Sequence, residues 1–126
     1  AFSPDGRSLA AGVESRLEFF QVDPWRSLTP VEGHQTEVLS AVFSPDGRFL
    51  FTGDLRGKLI CWDWSKGTMQ WTYQHQEESW GVRSISVDAS GKTLALTCPR
   101  RTSGAARVWL LDAGTGKRLR ELKGAK

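Results

Sequence analysis

The residues from which chemistry could be built are few: His34, His75, Cys61, Cys98 and a Ser90-Gly91-Lys92-Thr93 run. His34 has no Cys or carboxylate at metal-ligand spacing, so a metal site is a poor reading of it. Cys61 has no base near it in register. The two cysteines fall in different repeats and read as buried free thiols rather than a disulfide. Ser90 to Thr93 ends in Gly-Lys-Thr and invites a phosphate-loop reading. That motif needs Gly five positions before Gly91, where Ser86 stands, and a helix after it, where Thr93 to Thr97 reads as a strand. Asp112 to Lys117 is Gly-rich but connects two expected strands, so it reads as a turn. Glu77 and Glu78 are adjacent in a loop and solvated rather than catalytic. No nucleophile elbow is present. These residues form no catalytic constellation and imply no cofactor or metal.

What positions them is a repeat. Phe43-Ser44-Pro45-Asp46-Gly47-Arg48 repeats Phe2 to Arg7, and Val87-Asp88-Ala89-Ser90-Gly91-Lys92 is a weaker third copy. The copies stand 41 and 44 positions apart, a period typical of stacked units. Ser-Pro-Asp-Gly has type I turn chemistry: Pro45 pre-sets φ, Asp46 tolerates the third position, and Gly47 accepts the left-handed conformation. Apolar residues flank the turn on both sides, so each copy marks a β-hairpin.

The 126 residues suffice for one domain with its own core, and six Trp, six Phe and thirteen Gly argue for an all-β chain rich in turns. No run of about 18 apolar residues exists, which argues against a membrane helix. Ala1 begins no signal-peptide pattern, and the compartment stays open, with the cytoplasm slightly favoured. Net charge is +3, with −3 over residues 1–99 and +6 over 100–126. The basic tail could address an anionic partner, but no aromatic interleaves with it to stack on bases, which argues against nucleic acid.

In chain order, residues 1–3 read as the end of a strand, followed by strands Ser8 to Gly12 and Arg16 to Val22 and a weak outer strand at 26–32. The second unit reads as strands Val38 to Ser44, Arg48 to Thr52, Lys58 to Trp64 and Thr68 to Gln74. The third reads as Val82 to Val87, Thr93 to Thr97, Ala106 to Leu111 and Arg118 to Leu122. The inner strands carry near-continuous apolar runs, Phe49-Leu50-Phe51 and Leu59-Ile60-Cys61-Trp62, which implies that both faces of the middle sheet are covered.

Four short strands per unit, Gly33-His34 at the start and Trp62-Asp63 at the end of the third strand resemble the WD-repeat (Trp-Asp repeat) β-propeller family. The resemblance covers the chain as about three blades: 1–33, truncated at its first strand, 34–74, complete, and 75–126. It implies a non-catalytic scaffold for a protein or peptide partner. It also implies a blade network of His34, Thr52 and Trp62. The network's turn Asp falls in register at Arg56, with Asp54 two residues away as a substitute. Ala11 and Phe20 in the first unit, and Leu96 in the third, deny those blades the same network. His75 would serve a lengthened version of the His34 corner. Candidate partner contacts are Trp80, Arg56, Arg100 and Arg101, on loops expected to share one face. A different class, a propeller piece from a quinone-dependent dehydrogenase, is suggested by Asp63…Gly67…Trp71 and by Asp112 to Lys117. An accessory propeller of a kinase or protease is a further alternative. Propellers close with about 4–8 blades. Three blades would leave faces rich in Phe, Trp and Leu open to water, which implies further blades from the same chain or from other copies.

Overall fold

The computed structural model describes residues 1–28, 31–75, 79–99 and 107–123, and they form twelve strands and no helix. The strands make three antiparallel sheets, the second and third of them simple meanders. The first sheet holds β1 (Ser8–Val13), β2 (Arg16–Gln21), β3 (Arg26–Ser27) and β4 (Val31–Glu32), with β3 and β4 both pairing β2. Its innermost position is held by a single bridge, Phe2 to Leu9. The second sheet runs β5 (Val38–Phe43), β6 (Phe49–Asp54), β7 (Lys58–Asp63) and β8 (Thr68–Gln74). The third runs β9 (Ser84–Val87), β10 (Thr93–Thr97), β11 (Arg107–Asp112) and β12 (Arg118–Lys123). The chain is thus all-β, a partial propeller of three four-stranded sheets.

The hairpin turns explain the repeat. Ser44 Oγ donates to Asp46 Oδ1 at 2.5 Å, Asp46 Oδ1 accepts the Arg48 N–H at 3.0 Å, and Ser44 Oγ accepts the Phe49 N–H at 3.0 Å. The Gly47 N–H closes the turn on the Ser44 carbonyl at 2.9 Å, and Gly47 has φ +75°. Ser3, Asp5, Arg7 and Ser8 repeat the side-chain bonds at 2.6, 3.0 and 3.0 Å. In the third copy the Lys92 and Thr93 N–H groups both donate to Asp88 Oδ1, at 2.9 and 3.1 Å. The amides that a phosphate loop would offer to an anion are therefore engaged by a carboxylate.

Two apolar clusters join the sheets. Ala10, Leu17 and Phe19 of the first sheet meet Phe43, Leu50, Ile60 and Trp62 of the second. Phe51, Leu59 and Cys61 of the second meet Ile85, Leu94, Leu96, Cys98, Trp109 and Leu111 of the third. Alternate residues of β6 and β7 enter opposite clusters because side chains alternate across a strand. This is why the middle sheet shows unbroken apolar runs.

Two sequence expectations shift. The strand β6 runs on to Asp54, two residues past the expected end, which carries that carboxylate into the sheet. The outward faces of the first and third sheets are also less aromatic than anticipated. Leu9, Ala11 and Phe20 line one and Ala95, Val108 and Leu110 the other, all half-buried, while Trp109 turns inward and is buried. Phe51→Ala should cost roughly 3–5 kcal/mol by cavity formation between the second and third sheets. Phe2→Ala, at a residue 60% exposed, should stay within about 0.5 kcal/mol. Urea denaturation of both variants checks the contrast.

Candidate functional site

The polar group with the most connected geometry sits where the loop before β5 crosses the ends of β6 and β7. Trp62 Nε1 donates to Thr52 Oγ1 at 2.8 Å, and Thr52 Oγ1 lies 2.6 Å from His34 Nε2. His34 Nδ1 lies 2.7 Å from Asp54 Oδ2. Donor chemistry orients the chain. The indole can only donate, so Thr52 accepts from it and gives its own proton to Nε2; Nδ1–H then donates to the carboxylate. Asp54 Oδ1 accepts the Arg56 and Lys58 N–H groups at 2.9 and 3.0 Å. His34 and Asp54 side chains are essentially inaccessible, at 0% and 2% exposure.

The residue that completes the group is Asp54, not the register position Arg56. Arg56 contributes only its N–H to that carboxylate, and its side chain is exposed. The available signal was Asp54 itself, an acid at a strand end ahead of a glycine turn. Gly33 was legible only as half of a dipeptide. A Cβ there would come within 2.5 Å of the Trp62 ring, so only glycine lets the loop lie against the indole.

Thr52, His34 and Asp54 have the order of a hydroxyl–imidazole–carboxylate triad. Such a triad works only if the hydroxyl reaches a substrate. Here the Thr52 oxygen is capped by the indole N–H, and Thr52 has 0% exposure. The group is a buried lock. Burial pushes the Asp54 carboxyl upward, but the hydrogen bonds from His34 and from the Lys58 and Arg56 N–H groups outweigh it and hold its pKa below the ordinary value. Burial raises both cysteine thiols to about 12, helped at Cys61 by the Asp63 charge. Both are thus protonated and unreactive at neutral pH.

The third unit lacks this lock. Leu96 and Cys98 stand where Thr52 and Asp54 stand, and Trp109 Nε1 has no hydrogen-bond partner among the described residues. His75 is buried, 3.1 Å from the Tyr73 hydroxyl, with its ring 5.1 Å from that of Trp109. The guanidinium of Arg118 lies 3.6 Å over the Trp109 ring. Packing replaces the polar network there.

The predicted contact residues divide. Arg100 and Arg101 lie outside the described residues. Trp80 is 47% exposed, on a loop pinned by the Trp80 N–H to the Pro99 carbonyl at 2.8 Å and the Val82 N–H to the Asp54 carbonyl at 2.9 Å. Gly81, with φ +90°, lies so close that a Cβ would come within 2.6 Å of the Leu55 Cα. Trp80 and Arg56 thus flank one tight contact between adjacent units.

Three antiparallel sheets joined face to face, the middle one locked through a Gly-His corner to a Trp-Asp strand end, have the arrangement of propeller blades. The comparisons agree: the family model described as "WD domain, G-beta repeat" matches residues 25–63. The chain is similar to the target of rapamycin complex subunit wat1 of Schizosaccharomyces pombe, 28% identical over 122 residues, covering 95% of this chain and 36% of that protein. It is similar to the WD repeat-containing protein VIP3 of Arabidopsis thaliana, 46% identical over 55 residues, covering 42% of this chain and 17% of that one. Periodic tryptophan protein 2 of Arabidopsis thaliana is 29% identical over 90 residues, with 67% and 10% covered. The chain thus carries a WD repeat in a partial propeller and spans only a minor part of these relatives.

Thr52→Val removes the acceptor of Trp62 and the donor to His34 together. It should cost roughly 2–4 kcal/mol, with Thr52→Ser recovering most of it, as read by chemical denaturation. A second expectation concerns acid. The native pKa of Asp54 lies below the unfolded value of about 3.9, so its contribution is full above that value and is lost as pH falls through the native one. Melting temperature should drop below about pH 4, and less steeply in Asp54→Asn.

Proposed function

We propose that the chain is a non-catalytic scaffold segment whose units, 1–33, 34–74 and 75–126, act as one partial propeller and present a loop surface to a protein partner. The single observation carrying this is Trp80: a large aromatic, half exposed, on a loop whose backbone is fixed on both sides. An anchored aromatic loses little freedom on binding, which is what makes Trp and Arg effective contact residues. Arg56 stands beside it, exposed, with its carbonyl held by Gln74 Nε2 at 2.9 Å. The open outer faces of the first and third sheets suit further blades, from the same polypeptide or from other copies. The names of the relatives, a complex subunit among them, support a partner-binding reading over a quinone-dependent enzyme.

Trp80→Ala should leave the melting temperature within a few degrees and weaken the partner complex by about 2 kcal/mol or more. Partners recovered by crosslinking from cells expressing the wild-type and variant chains supply the measurement, followed by titration of the purified pair. Unchanged affinity in a folded variant overturns the assignment.

A further inference from the structure

The two sheet junctions are built to one plan but filled differently. Across the second sheet, Phe51, Cys61 and Trp71 stand side by side on β6, β7 and β8. The Trp71 indole reaches the next unit, where Nε1 donates to the Ala113 carbonyl at 3.0 Å and the ring lies against Gly116. Across the first sheet the same row is Ala10, Phe19 and Leu28, with the Leu28 N–H on the Phe19 carbonyl at 2.8 Å. Leu28 therefore stands where Trp71 stands, and the Trp64 to Gly67 turn stands where the Ala113 to Gly116 turn stands.

Leucine is too short to fill an indole's place. Phe19 and Trp64 add bulk where Cys61 and Ala113 are small, stacking with ring centroids 5.9 Å apart. Even so, a cavity of about 390 Å³ stays open, lined by Phe19, Leu28, Val31, Trp64, Lys66 and the Gly67 turn. Its walls are mainly apolar, with Ser65 at the edge, and among the described residues of its lining the charged group is a cation, Lys66. The Trp64 carbonyl, the counterpart of the Ala113 acceptor, takes the Gly67 N–H at a long 3.3 Å and keeps a lone pair for a second donor. An adjoining cavity of about 650 Å³ shares Leu28 and Trp64 and gives a polypeptide room to pass. That neighbour's lining carries the acids Asp5 and Asp46 and the base Arg7, a net negative balance, whereas the charged group beside the indole cavity is Lys66.

We propose that this cavity binds the indole of a tryptophan carried beside a carboxylate on a partner polypeptide. The indole takes the place that Trp71 fills one unit later, and Lys66 pairs with the neighbouring acid. This goes beyond the Trp80 surface and does not depend on it.

The test uses two short capped peptides carrying 5-fluorotryptophan, one flanked by Asp and one by Ser, titrated with the chain and followed by fluorine-19 NMR. A saturable shift with the acidic peptide is expected. Leu28→Trp, which supplies the missing indole from within, should weaken it by roughly tenfold or more. Lys66→Ala, a surface change that leaves the fold intact, should weaken the acidic peptide by roughly threefold and leave the Ser-flanked one unchanged. Trp80→Ala should bind both peptides as the wild type does. No saturable shift, or equal binding by a folded Leu28→Trp variant, overturns the proposal. So does equal response of both peptides to Lys66→Ala. Self-association in sedimentation that disappears in Trp25→Ala would assign the cavity to a second copy through exposed Trp25 and equally overturn it.

Discussion

The structure depends most on the bond between His34 and the Asp54 carboxylate. Asp54 gives one oxygen to His34, the other to the turn amides of Arg56 and Lys58, and its main-chain carbonyl to Val82 in the next unit. One residue therefore fixes the entry loop, the turn between β6 and β7, and the approach of the third sheet. Removing its charge would leave a buried imidazole and two amides short of an acceptor, and such orphaned groups are costly where water cannot reach. The group's value lies in being complete: every member has a partner, and a partly satisfied network is worse than an apolar core.

That dependence makes the units unequal. The middle unit is fixed by oriented hydrogen bonds and by burial on both faces. The third is fixed by Trp109, Leu94, Leu96 and Leu111, with Arg118 laid across the indole. The first has neither its own lock nor a full inner strand among the described residues, and leans on the second through Leu17, Phe19 and the Trp64 ring. Apolar packing tolerates substitution of similar volume, whereas the polar lock tolerates almost none.

Much of this was legible in the sequence. The hexapeptide at Phe43 sets turn, strand and return strand by local chemistry, and its copies do the same, so the strands and the meander order follow from spacing. His34, Thr52 and Trp62 could be named from register. Asp54 could not be assigned with the same assurance, because register counts positions and points to Arg56, whereas β6 continues two residues further and brings Asp54 to the imidazole. The place of Leu28 was not legible at all. It becomes visible only when the rows Ala10–Phe19–Leu28 and Phe51–Cys61–Trp71 are superposed in space, since the outer strands differ in spacing.

The regular spacing of the units has a consequence for how the chain finds its fold. Among the described hydrogen bonds, the farthest-reaching are Ser40 to Val82 and Trp71 to Ala113, each spanning 42 residues, one unit's length. Turn bonds such as Ser44 to Phe49 span five. Closing a loop costs entropy that rises with its length, so no hydrogen bond among the described residues requires a search longer than about one repeat. Until a ring closes, adding blades to such a chain lengthens it without lengthening the closures between neighbours, and the entropic toll of each new junction stays that of the last.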